Sequence, residues 1–326
     1  MKRTLSRWAL SVASAGALMI ASHAAFALDH IRVGKGGVGL LYATIEVGQA
    51  AGIWQQEGLD IEVLQFPGEG PVMTGYAAGN IDVSLGSGTS MGFTVKGVPE
   101  HVVAVMSGPP SDFCLAIKPG GPIKTVADLK GKSIGVTSAG SLTYYFAKTF
   151  AEKQGWGSDG ITPQPLGGVT AQFAALQTGD IAATVTTPEL AAQYGEKNQG
   201  QVLISFLDVI PHFFTHSIVA SDNMIKNHPD QVKRFLEGWF KTVAYMKNPA
   251  NRTASIEVIK KTMGFDDTVA STAFDLEVKG LSDDGAFDPE AVDLVRKAMV
   301  SFGVVDTEPP VKGLYDPEFV PVKITK

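Results

Sequence analysis

The sequence predicts an α/β fold of two doubly wound lobes. Three observations predict it. Short apolar strands alternate with helical segments from His30 to Val185, the pattern of parallel βαβ units. The pattern runs twice: Ala78-Gly79-Asn80-Ile81-Asp82 and Thr178-Gly179-Asp180-Ile181-Ala182 both stop a helix with glycine and open a strand with isoleucine. The length, 326 residues with 44% hydrophobic and 18% charged, suits two medium α/β units.

In chain order, His30 to Val33 reads as a strand, Gly34 to Gly39 as a glycine-rich turn and Leu40 to Ala51 as a helix. Gly58 reads as a glycine C-cap ahead of an alternating strand, Asp60 to Phe66. A helix over Gly70 to Ala78, a strand over Ile81 to Leu85, a small-residue turn over Gly86 to Ser90 and a strand over Val102 to Met106 complete the first unit. Phe113 to Ile117 has a buried-strand pattern, with Cys114 as a small core residue. In the second unit, Lys132 to Val136 reads as a strand, Thr143 to Phe150 as a helix, Ala171 to Thr178 as a helix and Asp180 to Val185 as a strand. Ser217 to Ala220 is one more strand. Pro229 opens a long helix whose Val232, Phe235, Leu236, Trp239, Val243 and Met246 share one face. Helices follow over Ile256 to Met263, Thr268 to Lys279 and Pro289 to Phe302, and the proline-rich tail from Thr307 is expected on the surface.

Residues 1–27 read as a cleaved secretory leader: Lys2, Arg3 and Arg7 form a basic start, Ala9 to Ala21 an apolar run and Ala25-Phe26-Ala27 the cleavage signal. Loss of those three basic residues moves the formal charge from −6 to −9, which argues against nucleic acid or an anionic membrane as partner. One cysteine, Cys114, excludes an intrachain disulfide, and no cysteine follows the cleavage point to carry a lipid. The expected location is therefore the periplasm, unlipidated.

Gly135 to Tyr145 is the stretch of most chemical interest. A strand runs into a helix through a turn of small hydroxylated residues, where free N–H groups and the helix dipole favour an anion. Ser138, Ser141 and Thr143 add hydroxyls; the alternative is a serine that merely caps its own helix. Gly34-Lys35-Gly36-Gly37-Val38-Gly39 matches G-x-G-x-x-G, but the second strand ends Leu64-Gln65-Phe66, without the acid a dinucleotide ribose needs. Gly88-Thr89-Ser90-Met91-Gly92 matches the G-x-S-x-G elbow, so a secreted α/β serine hydrolase using Ser90, with Asp208 and His212 or His216, is the alternative reading. No histidine pair has metal-site spacing, so neither metal nor cofactor is expected.

Six segments in order carry a family resemblance: Leu41-Tyr42-Ala43-Thr44 with Gly52-Ile53-Trp54 and Glu57 to Glu62; Ala78 to Asp82; Ala127 to Val136; and Ala174 to Ala182. Together they resemble the solute-binding proteins of ABC importers in the nitrate/sulfonate/taurine group, which also includes pyrimidine-precursor binders. The resemblance implies the type II periplasmic-binding arrangement, two lobes joined by a hinge, with lobe 1 over 28–113 plus 217–326, lobe 2 over 114–216, and crossings near Ser111 to Lys118 and His212 to Ala220. It implies a monomer that carries a small anionic or heteroaromatic solute (nitrate, sulfonate, taurine, aromatic acid or pyrimidine) to an inner-membrane permease, without catalysis. Ligand residues are expected at strand ends: Gly39, Leu40 and Tyr42; Ser87, Gly88, Thr89 and Ser90; Ser138, Ser141, Leu142 and Thr143; Thr186, Pro188 and Glu189; and His216. Leu142 stands where many relatives carry another serine.

Overall fold

A computed structural model describes residues 27–66, 68–88, 90–110, 112–157, 159–301 and 305–324. The leader, apart from Ala27, and Thr89 of the expected site lie outside the described residues. The strands are β1 (Asp29–Lys35), β2 (Leu59–Gln65), β3 (Val83–Ser87), β4 (Glu100–Ser107), β5 (Cys114–Ile117), β6 (Ser133–Val136), β7 (Thr162–Pro165), β8 (Ala183–Thr186), β9 (Gln201–Ser205) and β10 (His216–Ser221). The helices are α1 (Leu40–Ala50), α2 (Ile53–Gln56), α3 (Glu69–Ala77), α4 (Ser90–Val95), α5 (Leu142–Lys153), α6 (Val169–Thr178), α7 (Pro188–Gly195), α8 (Asp222–Asn227), α9 (Pro229–Lys247), α10 (Arg252–Met263), α11 (Asp267–Glu277) and α12 (Pro289–Ser301).

The strands form two five-stranded sheets of identical plan, β2-β1-β3-β10-β4 and β7-β6-β8-β5-β9. The repeat read from the sequence reaches single hydrogen bonds. Asn80 N donates to Gly75 O at 2.9 Å and Asp180 N to Ala175 O at 3.0 Å. Asp82 N donates to Arg32 O at 3.0 Å and Ala182 N to Ser133 O at 2.9 Å. Glycine is required at both helix stops because Gly79 and Gly179 are left-handed, with φ of 69° and 86°.

The sheets are not wholly parallel as the strand–helix alternation predicts. β10 runs antiparallel to β3 and β4, and β5 runs antiparallel to β8 and β9. Each arrives from the other sheet: β10 slots between β3 and β4, already laid down, while β5 opens its sheet and is later flanked by β8 and β9. Alternation reports the local period and carries no information about that direction. β7 and β9 escape sequence reading. β7 carries Pro163 and Pro165, which cannot donate to a ladder, and so lies at the sheet edge.

The core of the first lobe packs α1, α9, α10 and α11 on one face of its sheet, around Trp54, Phe235 and Trp239. Gly48 lets α1 approach closely: a Cβ there would meet Thr242 Oγ1 of α9 at 2.6 Å. A second core, around Phe146, Phe150, Phe206 and Phe213, runs through the second lobe and into the contact with the first. Cys114 lies with Phe173 and Leu176 in a third, and burial pushes its thiol pKa well up, which makes it inert. The tail does not simply lie on the surface as expected. Leu314 is buried, and Asp316 N donates to Val102 O of β4 at 2.8 Å.

Candidate functional site

A cavity of about 320 Å³ lies between the two sheets, at the carboxyl ends of β1, β3, β6 and β8. This is where open α/β sheets present ligand-binding loops. Its first-lobe wall comprises the 36–39 turn, Leu41 and Tyr42 of α1, Gln65, Phe66, Gly68 and Glu69 after β2, Ser87, His216 and Glu277. Its second-lobe wall comprises Thr137, Ser141, Leu142, Thr143, Gly167, Gly168, Val169, Gln172, Val185, Thr186, Thr187 and Leu190. Asp112 and Phe113, between β4 and β5, form its back.

The hydroxylated turn before α5 is largely self-satisfied. Ser141 is the N-cap: its Oγ accepts from Tyr144 N at 3.3 Å and donates to Ser138 O at 2.8 Å. Thr143 Oγ1 accepts from Thr137 N at 2.9 Å and lies 2.9 Å from both Thr137 Oγ1 and Ser141 Oγ. The capping alternative is therefore realised, and the same side chains still face the cavity. Ser138 lies outside the wall but near the opposite rim, since a Cβ on Gly68 would sit 3.8 Å from its Oγ.

The glycine-rich turn before α1 serves packing. A Cβ on Gly36 would meet Glu69 N at 3.0 Å, and one on Gly37 would run into the Tyr42 ring at 2.7 Å. Tyr42 meets His216 edge-on at 5.3 Å, and Phe113 stacks on the same imidazole at 5.8 Å. His216 is almost wholly buried, and burial alone lowers its pKa to about 3, so it is neutral. His216 Nδ1 lies 3.0 Å from Thr215 Oγ1, and the Thr215 hydroxyl donates to Asp112 Oδ2 at 3.4 Å. That chain assigns the proton to Nδ1 and leaves Nε2 as an acceptor.

Carboxyl groups dominate the charge around the cavity. Burial pushes Asp112 up to about 7, with the Glu189 charge adding to the effect. Although Asp112 Oδ2 lies 3.6 Å from His216 Nδ1, a neutral imidazole forms no ion pair with it. Glu277, the last residue of α11, is also raised by burial and then by the adjoining Glu189 carboxyl; the Leu41 amide in the first turn of α1 donates to it. No lysine or arginine lines the cavity among the described residues. Lys35, nearby and 6% exposed, is paired with Glu46.

The structure thus brings Gly39, Tyr42, Ser87, Ser141, Leu142, Thr143, Thr186 and His216 to the cavity wall. Five other expected residues stand back from it. Leu40 is wholly buried in the core under α1. Gly88 is packed so that a Cβ would meet Phe214 O at 2.7 Å. Ser90 is wholly buried and its Oγ accepts from Ser87 N at 3.2 Å, so it is no exposed nucleophile. Pro188 and Glu189 form the first turn of α7, just behind Thr187 and Leu190. His212, the other candidate hydrolase base, is exposed and lies 3.8 Å from Glu290.

Sequence reasoning missed Asp112, Phe113, Glu277 and the turn at Gly167 and Gly168. The repeat could have found that turn: Gly68 precedes α3 as Gly168 precedes α6. Among the described residues no group of three or more His, Cys, Asp and Glu could hold a metal ion, and no helix is long and apolar enough to cross a membrane.

With this geometry in place, comparison with known proteins settles the family. The sequence model described as NMT1/THI5 like matches residues 42–252. The chain belongs to the NMT1/THI5-like family. The matched span of this NMT1/THI5-like protein runs from the first turn of α1 to the start of α10, across both sheets. Its fold is shared with the periplasmic aliphatic sulphonate-binding protein SsuA from Escherichia coli, at 18% identity and a TM-score of 0.74, covering 91% of this chain and 96% of that one. It is also shared with a Bordetella bronchiseptica protein, CAE31940, at 20% identity and 0.73, covering 89% and 95%. A third is the alkanesulfonate-binding protein SsuA from Xanthomonas axonopodis pv. citri bound to MOPS, at 16% and 0.73, covering 88% and 96%. No curated protein matches the chain by sequence.

Proposed function

We propose that this protein is a periplasmic solute-binding component that delivers a small molecule to an inner-membrane ABC permease. The observation that carries this reading is a ligand-sized cavity walled by two lobes of identical plan, with the chain crossing between them twice. A solute touching both walls stabilises the closed arrangement by its differential affinity, and closure is what a permease recognises. The folds shared with proteins named as sulfonate-binding components support the same reading. The lobes are assigned to 28–113 plus 217–326 and to 114–216, with a monomer as the working unit.

The protein acts by binding, without turnover. The elbow serine Ser90 is sealed into the core and the Cys114 thiol is held protonated by burial, so neither offers a nucleophile to the cavity. The test is recovery of the bound solute. A thermal-shift screen of small organic acids, sulfonates, amines and heterocycles should reveal a stabilising ligand, at about 2.7 kcal/mol when present at a hundred times its dissociation constant. Mass spectrometry of the released ligand should show it unchanged. A chemically altered product accumulating on incubation contradicts the proposal.

A further inference from the structure

The side chains around the cavity specify the solute's charge. Asp112 and Glu277 reach the cavity from the crossing after β4 and the end of α11, and Glu189, in the first turn of α7, stands directly behind the wall against Glu277. All three are at least nine-tenths buried, and Asp112 Oδ1, Glu189 Oε2 and Glu277 Oε1 have no hydrogen-bond partner. Thr186 Oγ1, equally buried in the same wall, also lacks one. Buried acceptors left unsatisfied cost free energy that a bound donor relieves.

Positive counterparts are missing from the wall. The lining holds the acids Glu69, Asp112 and Glu277, a neutral histidine and no lysine or arginine among the described residues. The helix N-termini that could hold an anion are already supplied by the protein. Leu41 N in the first turn of α1 serves Glu277, α5 is capped by Ser141, and α7 carries Glu189 in its first turn. The rest of the wall is apolar and aromatic: Tyr42, Phe113, Phe66, Leu142, Val185 and Leu190.

We propose that the solute carries a cationic nitrogen, an ammonium or amidinium, on a compact aromatic or apolar body, with the nitrogen seated against Asp112 and Glu277 and Glu189 behind them. This deepens the binding-protein reading and rests on it. Glu277 belongs to the first lobe and Glu189 to the second, and their carboxyls adjoin. A cation takes the place of the proton that Glu277 holds against Glu189, which ties binding to contact between the lobes. A metal ion is disfavoured as the cation because the three carboxyls do not form a metal-binding group.

The experiment is calorimetric titration of the full mature chain with matched aromatic probes: benzylammonium, benzamidinium, benzyl alcohol, benzoate and benzenesulfonate. The two cations should bind, and the two anions should not. Asp112→Asn and Glu277→Gln should each weaken the cations about ten- to hundredfold, the scale of a hydrogen bond to a charged group. Each variant's thermal midpoint confirms folding, and two variants at separate positions guard against the failure of one. Binding of the anions in preference, or of none of the probes, overturns the charge assignment. X-ray scattering on the same samples separates the two claims. Anion binding with compaction leaves the binding-protein reading intact. Cation binding without compaction contradicts that reading and leaves the charge assignment standing.

Discussion

Asp112→Asn should stabilise the empty protein, increasingly as pH rises from about 4 and fully above about 7. Asp112 is 6% exposed, and burial raises its carboxyl from the ordinary 3.8 to about 7. A raised carboxyl means the folded state holds a proton that the unfolded chain has released. Below about 4 both states are protonated and the group costs nothing; between there and about 7 stability falls as pH rises, and above that the penalty is complete. A shift of about three pH units at 1.36 kcal/mol each gives about 4 kcal/mol. Asparagine keeps the shape and can still accept the Thr215 hydroxyl, so the variant removes the charge and little else. His216 titrates in the opposite sense, costing stability as pH falls from 6.5 toward about 3, but it is common to both proteins and cancels in their difference. The assay is urea unfolding of both proteins across that pH range. The variant should match wild type near pH 4 and exceed it by up to about 4 kcal/mol near pH 8. Parallel curves at every pH would refute the claim that this carboxyl is held neutral by its surroundings.

Four further outcomes follow from the same geometry. Lys35→Met should cost about 3–5 kcal/mol in urea unfolding, because it strands the Glu46 carboxylate that Lys35 pairs. Ser141→Ala should lower stability by about 1 kcal/mol through the lost α5 cap, read as a shift in thermal midpoint. Gly88→Ala should cost about 1–3 kcal/mol, since the new Cβ meets the unyielding Phe214 carbonyl at 2.7 Å. Affinity for benzylammonium should rise with pH through about 7, because a proton must leave Asp112 and the raised Glu277, beside Glu189 and neutral His216, before the cation can pair. Calorimetry across the same pH range checks the sign.

Much of the fold is legible in the sequence because it rests on local signals. Gly79 and Gly179 mark left-handed helix stops, and the isoleucines after them open equivalent strands, so the two-lobe repeat can be read from the chain. Strand direction, the insertion of β10 between β3 and β4 and the flanking of β5 by β8 and β9 depend on where distant segments meet, and no local pattern encodes that. The site divides the same way. Tyr42, Ser87, Ser141, Thr143 and Thr186 sit at strand ends or first helical turns and reach the cavity as expected. Leu40 and Ser90 occupy equivalent positions, but the helix rotation turns them into the core. Asp112 lies in a crossing whose course only the assembled lobes define, and Glu277 arrives from the end of a helix more than two hundred residues from α1. The charge of the site, set by those two residues with Glu189, was therefore hidden from any segment read alone.

The most direct test of the whole account is small-angle X-ray scattering on the mature protein, first stripped of solute by unfolding and refolding and then titrated with the ligand recovered from it. The account predicts a larger radius of gyration when empty and a saturable decrease that follows binding, as two lobes shut on the cavity. An unchanged scattering curve at full occupancy would contradict it.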